Sequence, residues 1–425
     1  MRISRKLTCS ICALALLWLN VGTAAAQQVT VVRAARMLDV KTGRMVQNAV
    51  VVIEGGRIKS VGSGEIPEDA DIIDLGNLTL LPGLIDMHVH LTGDLDKDSF
   101  NRRIREGAAD AALRGARNAR RTLLAGFTTV RDMASDGFSA VALMRASDRG
   151  LIESPRIFPA AHGLGITGGH CDATGLAPGI LEGGPERGVA DGADEILKAV
   201  RYQIKHGAKL IKTCATAGVL SFEGRVGAQQ YSEEELRVMV EEAARHGMKV
   251  SAHAHGTEGI IAAVRAGVAS IEHGSMLNEE AIALMKEKGT YLVPTTYLAD
   301  NIPLDVLPPH IRAKAESILP VAKESVRRAI RAGVKIAFGT DAAVFPHGDN
   351  AKEFTALVER GLTPLEAIRS ATLNAVDLLG VDDRGLIAPG RLADIIAVPG
   401  NPLEDIRVLE DVRFVMKGGK VFKHE

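Results

Sequence analysis

Cysteine is scarce in this chain, and so is any surplus of charge. Of its four cysteines, Cys9 and Cys12 lie in the first apolar run and leave Cys171 and Cys214 for the rest. Two cysteines do not make a disulfide framework. Neither has metal-ligand spacing with another cysteine, and one bridge between them needs an oxidising compartment; the sequence leaves that bridge open. Lys and Arg number 51 against 52 Asp and Glu, a formal net charge of -1, which argues against nucleic acid or an anionic membrane surface as partner. No apolar run beyond the N-terminus is long enough to span a bilayer. No glycine fingerprint follows a strand, which disfavours a dinucleotide-binding fold. Internal repeats and low-complexity segments are also missing.

What is there starts with a leader. Arg2, Arg5 and Lys6 form a basic start, residues 7–21 are apolar, and Ala24-Ala25-Ala26 offers a small-residue cleavage site. Residues 1–26 read as a secretory signal peptide. An uncleaved anchor fits less well, because the run is short and holds Asn20. The expectation is an exported protein, periplasmic or secreted. The 425 residues, 46% of them hydrophobic, suffice for one large domain with an appendage.

Both chain ends are β-rich. Short strands are predicted at 29–32, 49–53, 57–61 and 71–74, with a hairpin turn at Glu54-Gly55-Gly56-Arg57. The style resumes at 393–398 and 412–416, with a second turn at Lys417-Gly418-Gly419-Lys420. The economical reading is a small β-sandwich built from residues 28–82 and 381–425. Residues 83–380 between them alternate strand and helix. Strands begin near Leu84, Phe127, Arg156, Lys209, Lys249, Ser270, Thr290 and Lys335, and helical patterns cover 103–124, 195–206, 232–246 and 313–332. Ser232 and Glu235 form a capping box. Eight such units over roughly 300 residues match an α/β fold of the (β/α)8 TIM-barrel type. The longest irregular region, 163–192, is glycine-rich; loops of that length are functional or mobile.

The chemistry gathers at strand ends. In Leu81-Pro82-Gly83-Leu84-Ile85-Asp86-Met87-His88-Val89-His90, strand alternation points Asp86, His88 and His90 the same way. Two histidines so spaced can grip one metal ion. A bare His-x-His is more often a hydrogen-bonded pair at a strand end, and what overturns that reading is the rest of the chain. The fourth strand ends on Lys212, the fifth carries His253 and His255 on one face, the sixth ends on His273 and the eighth on Asp341. Catalytic groups of barrels sit at that end, so five strands ending this way point to a metal-dependent site.

With these residues in place, the chain resembles the amidohydrolase superfamily in its binuclear form. The likeness includes the closing stretch Gly385-Leu386-Ile387-Ala388-Pro389-Gly390-Arg391-Leu392-Ala393-Asp394. Thr167-Gly168-Gly169-His170 and His253-Ala254-His255-Gly256 are similar to the branch holding Xaa-Pro dipeptidases, carboxypeptidase-like amidases and ochratoxin-hydrolysing amidases. The resemblance implies two divalent ions. His88, His90 and Asp341 hold one, His253 and His273 the other, and Lys212 bridges them as a carbamate formed from carbon dioxide. A lysine buried beside cations favours its neutral form, which can capture carbon dioxide. The nitrogen-rich set favours zinc. Two cations roughly 3.5–4 Å apart activate a bridging hydroxide and clamp a carbonyl oxygen, with Asp341 passing the proton to the leaving nitrogen. His255 is then expected to orient the site or face the substrate.

Substrate contacts are expected from His170, which could polarise the scissile carbonyl or bind a carboxylate, and from Tyr231 and Arg225, which could hold an α-carboxylate. The bland alternatives are a rim histidine and a solvated arginine. Arg131-Asp132 reads as a structural ion pair. The expected activity is cleavage of the amide to a C-terminal amino acid, in an Xaa-Pro dipeptide or an N-acyl amino acid. Homo-oligomerisation is expected from relatives. Two other readings stand. A mononuclear deaminase or cyclic-amide hydrolase of the imidazolonepropionase type typically lacks the bridging lysine and often puts Glu shortly after the fifth-strand histidine; this chain has Lys212, and Gly256 after His255. A non-catalytic metal-binding barrel would cleave no N-acyl amino acid when loaded with metal.

Overall fold

The two chain ends meet in one sheet. The computed structural model describes residues 29–62 and 66–425; the leader read from residues 1–26 lies outside the described residues. From the N-terminal side come β1 (Val29–Asp39), β2 (Arg44–Glu54), β3 (Arg57–Gly62), β4 (Asp71–Asp74) and β5 (Leu78–Pro82). The central strands are β6 (Leu84–Val89), β7 (Phe127–Asp132), β8 (Arg156–Pro159), β9 (Ile211–Cys214), β10 (Val250–Ala254), β11 (Ser270–His273) and β12 (Tyr291–Val293). The C-terminal side supplies β13 (Ile395–Pro399), β14 (Phe414–Lys417) and β15 (Lys420–His424). The terminal sheet runs β15-β14-β13-β5-β1-β2-β3, with β4 also pairing β1.

Period-two alternation divides this sheet's residues between two cores. Leu80, Ile395 and Ala397 join a cluster with Val51 and Phe414 that is made almost wholly of this sheet's own side chains. Leu81, Ile396 and Val398 point the other way, into the main core. Both predicted glycine turns form. Gly55 and Gly56 have φ of 59° and 75°, Gly418 and Gly419 58° and 79°, the left-handed pair that tight hairpins need. The two tips touch: a Cβ on Gly56 would stand 2.7 Å from the Gly418 carbonyl oxygen.

The middle of the chain forms two parallel sheets, β6-β7-β8 and β12-β11-β10-β9. Single parallel bridges join Leu164 to Thr213, Leu292 to Ile336 and Val89 to Ala342. The strand predicted from Lys335 is therefore an extended segment rather than a regular strand. It is still bonded on both sides: Leu292 N–H donates to Lys335 O at 2.8 Å and Met87 N–H to Phe338 O at 2.9 Å. Its ladder breaks because Phe338 N–H turns to Ser370 O and Gly339 passes so close that a Cβ would meet Val293 at 2.3 Å.

Helices pack around these sheets. The helix predicted over 103–124 is two, Ser99–Arg105 and Ala108–Leu124, because Gly107 is extended and caps the second with Asp110 returning a bond to its N–H. Glu233–Arg245 opens with the predicted capping box, Ser232 Oγ accepting from Glu235 N–H. The helix expected from 313 starts earlier, at Pro309, where a proline suits the first turn. No helix among the described residues is long and apolar enough to cross a membrane. Cys171, in the long loop 163–192, is bonded to Cys214 at the end of β9, with Cα atoms 5.8 Å apart, which answers the question the sequence left open.

Candidate metal centre

The site lies where β6, β9, β10, β11 and the 335–341 segment end together. β6 is buried along its whole length. His88 Nδ1 lies 2.8 Å from Glu272 Oε2, and His90 Nδ1 3.1 Å from the Ala134 carbonyl oxygen. With those nitrogens donating, each ring presents Nε2 to Asp341 Oδ1, at 3.5 and 3.4 Å. His88, His90 and Asp341 thus form one group of possible ligand atoms, all within 4.8 Å of one another.

A second group of the same tightness is His253, His255 and His273. His253 and His255 share a face of β10 by alternation, as read from the sequence. His273 obeys a different rule. Ser270 and Glu272 already occupy the inward face of β11, so alternation alone would send His273 away. A left-handed φ of 70° at His273 turns it back, and Thr295 Oγ1, itself on a residue with φ of 48°, holds its Nδ1 at 2.8 Å. His255 Nδ1 is held by Ser275 Oγ at 2.7 Å. His253 Nε2 is fully buried without a hydrogen-bond partner among the described residues. A buried polar atom left so is costly, and an unclaimed imidazole lone pair beside other histidines fits a metal ligand.

Lys212 is the second residue of β9, which runs on to Cys214 rather than ending on the lysine as expected. It is buried, lines the same cavity, and its charge reaches His88 of one group and His253 of the other. Burial pushes its ammonium down to about 8, against the pull of Glu272 and Asp341. Burial likewise lowers His88 to about 4 and His90 and His255 to about 3. These histidines are therefore neutral near pH 7 and carry free lone pairs. Asp341 is raised to about 7 by burial. The residues fit a pair of divalent ions: two nitrogen-rich trios and a neutralisable lysine in one cavity.

Glu272 is the residue sequence reasoning missed. Its carboxylate accepts from Ser251 and Ser270 hydroxyls, contacts His88 and pairs with Arg131 Nη2 at 2.8 Å. Burial alone would raise this carboxyl; Arg131, His88 and Lys212 hold it well below the usual range. Arg131 is indeed structural, but its partner is Glu272 across the sheets and not the adjacent Asp132, whose Oδ2 instead accepts from Leu91 N–H. Neighbouring strand residues face opposite ways, so Arg131 and Asp132 cannot pair. Asp86 shares the face of His88 as read, yet it binds Thr340 and Asn350 and so anchors the segment bearing Asp341.

The centre floors a cavity of about 320 Å³. His170 lines it, its ring stacked on His253 with centroids 4.1 Å apart. Two of the expected substrate contacts are corrected. Tyr231 is fully buried and donates to the Ala190 carbonyl at 2.9 Å, a packing role under the loop. Arg225 is exposed on its loop and is not part of the cavity wall. The arginine that does line it is Arg187, from a short turn of the long loop; Pro185 starting that turn was the available signal.

Parallel strands flanked by helices, with titratable groups gathered at their C-terminal ends, define an α/β enzyme. The chain belongs to the amidohydrolase family, whose profile matches residues 79–422, and is a hydrolase acting on amide bonds. It is 39% identical to an ochratoxinase of Aspergillus niger over 429 residues, 93% of this chain and 87% of that one. A solved Xaa-Pro dipeptidase with bound methionine in its active site superposes with a TM-score of 0.89 at 40% identity, covering 93% of this chain and all of the other. A prolidase solved with N-methylphosphonate-L-proline gives 0.84 at 34% identity, over 94% of this chain and all of that one.

Proposed function

We propose that this protein is an exported, dinuclear metal-dependent amidase or dipeptidase that cleaves the amide bond to a C-terminal amino acid. One observation carries this reading: two trios of possible ligands and the buried Lys212 line one cavity. His88, His90 and Asp341 would hold one divalent ion, His253 and His273 the other, with His255 orienting the site and Lys212 between them as a carbamate; zinc suits the nitrogen-rich set. When bound, such a pair polarises a carbonyl and lowers the pKa of water. The lowered ammonium pKa of Lys212 favours the neutral amine that carbon dioxide needs. Asp341, raised towards neutrality by burial, is suited to take up a proton and release it to the leaving nitrogen. His170 faces the same space and would contact the carbonyl or carboxylate of the substrate.

The relatives, named for ochratoxin, Xaa-Pro dipeptides and an L-proline derivative, support a leaving amino acid with a free carboxylate. In place of Tyr231 and Arg225, we assign its recognition to His170 and Arg187. The Arg187 guanidinium makes no ion pair among the described residues, so a carboxylate could take it bidentately. Leu298, Ile302, Ile318 and Val326 line the apolar side of the cavity and suit a large apolar group. We also propose the closed (β/α)8 barrel and the terminal β-sandwich. The single bridges between the parallel sheets and the self-contained cluster of the terminal sheet support them. Export rests on the leader, with the Cys171–Cys214 bond in keeping. Homo-oligomerisation rests on the resemblance alone.

The test is kcat/KM for a panel of dipeptides and N-acyl amino acids against their C-terminal amides, on enzyme whose metal is counted by elemental analysis. Near two ions per chain and a strong preference for the free acids are expected. Equal values for acid and amide would remove carboxylate recognition. One ion per chain in active enzyme would favour a mononuclear hydrolase.

A further inference from the structure

The loop after β9 carries two polar residues that the metal centre does not use, the buried Ser221 and Glu223, whose side chain is largely shielded. Ser221 Oγ lies 2.5 Å from His170 Nδ1 and 2.6 Å from Glu223 Oε1. The same carboxylate oxygen accepts from Gly218 N–H at 2.9 Å and stands 3.3 Å from His170 Nδ1. Glu223 Oε2 is fully buried without a hydrogen-bond partner among the described residues. A carboxylate half unsatisfied away from water is costly, so the fold keeps Glu223 there for what Oε1 holds. Lys314, from the helix Pro309–Arg331, donates to the carbonyls of Ser221 and Glu223 at 2.8 and 3.0 Å and pins the loop backbone. Gly218 makes room for the ring, since a Cβ there would stand 2.1 Å from His170 Cε1.

The direction of the chain follows from counting protons. A carboxylate accepts and cannot donate, and a serine hydroxyl has one hydrogen to give. With that hydrogen on Glu223, Ser221 Oγ must accept from His170, so Nδ1 of the ring carries a hydrogen. We infer that Glu223, acting through Ser221, is a positioning residue: it holds the Nδ1 edge of His170, fixes the plane of the ring and leaves Nε2 towards the cavity. The inference rests on the reading of His170 as the group that meets the substrate.

The test uses the metal-replete full-length enzyme and the N-acyl amino acid turned over fastest in the panel. Glu223→Gln keeps an oxygen to accept from Gly218 and Ser221 but loses the charge, and kcat is expected to fall about 10- to 100-fold, in the range of outer-shell substitutions. KM should stay within about threefold, because Arg187 still holds the carboxylate, and metal content at the parent value, because Glu223 touches no ligand. Ser221→Ala should cost less, since Nδ1 can reach Oε1 directly, and Ser221→Thr should recover most of the loss. In a His170→Asn background, Glu223→Gln should change kcat less than about twofold, because coupled residues are non-additive. A parent-like kcat for Glu223→Gln, or an equal fall in both backgrounds, overturns the relay. If Glu223→Gln does not fold, the Ser221 variants decide by the same cycle. Parent-like activity of His170→Asn, or no turnover of any panel member, removes the underlying reading of His170 and the inference with it.

Discussion

The terminal sheet and the ends of the parallel strands treat their backbones in opposite ways. In the terminal sheet, alternation feeds two cores with local register shifts at Val52/Ile53 and Val415/Met416, and the left-handed conformations fall on glycines, with Asn48 the exception. At the metal centre positive φ falls on Ala134, His273, Thr295 and Asp341, all with side chains. Each costs on the order of 1–3 kcal/mol and persists where the surroundings over-determine it. Here the surroundings are the Glu272–Arg131–His88 contacts and the grip of Asp86 on Thr340 and Asn350. The terminal sheet is held by local rules; the centre is held against them by its neighbours.

The contrast predicts where substitutions act. The largest effect is expected at Asp341. Asp341→Asn keeps the size and the left-handed turn, which Asn tolerates, but removes the basic oxygen. Turnover should fall by at least the 10²–10⁴-fold typical of a lost acid-base group, with little change in melting temperature. A loss of only a few-fold in kcat would remove Asp341 from proton transfer.

Next comes the buried pair that supports the centre. Arg131→Met leaves Glu272 charged and unpaired, and breaking such a pair costs about 3–5 kcal/mol. Denaturant unfolding should show that loss together with weaker metal retention. Arg131→Met at parent stability would mean that Glu272 is balanced by His88 and Lys212 alone.

The disulfide comes third. It closes a loop with a sequence separation of 43, and bridges of that kind typically contribute about 2–4 kcal/mol. Cys171→Ala with Cys214→Ala should lower the melting temperature by several degrees. It should also lower kcat/KM, because Cys171 adjoins His170. Identical melting curves with and without reductant would show that the loop is held by its other contacts.

The smallest effect on activity belongs to the terminal sheet. Leu80→Ala should cost about 2–5 kcal/mol through its cavity, yet leave kcat within twofold. A large kcat loss at parent-like metal content would show that the two regions are coupled, contrary to the comparison drawn above.

Much of the site was legible because strand alternation is a local rule. His88 with His90 and His253 with His255 share faces for that reason, and the glycine turns and the Ser232 capping box are equally local. Residues whose position depends on a distant partner were not legible. Glu272 looks like any strand carboxylate until Arg131 and His88 arrive from other strands. Tyr231 seemed a rim donor until the Ala190 carbonyl met it in the core. Arg225 and Arg187 are both loop arginines in the sequence, and the course of the loops sorts them.

By itself the sequence determined the element types, the division into β-rich ends and an alternating middle, and the residues able to bind metal, because composition and period act over a few residues. The tertiary structure alone decided that His273 and Asp341 turn inward through left-handed backbones, that Cys171 meets Cys214, and that Ser221 and Glu223 stand behind His170. Each of these depends on contacts between segments far apart in the chain, where packing outweighs local preference.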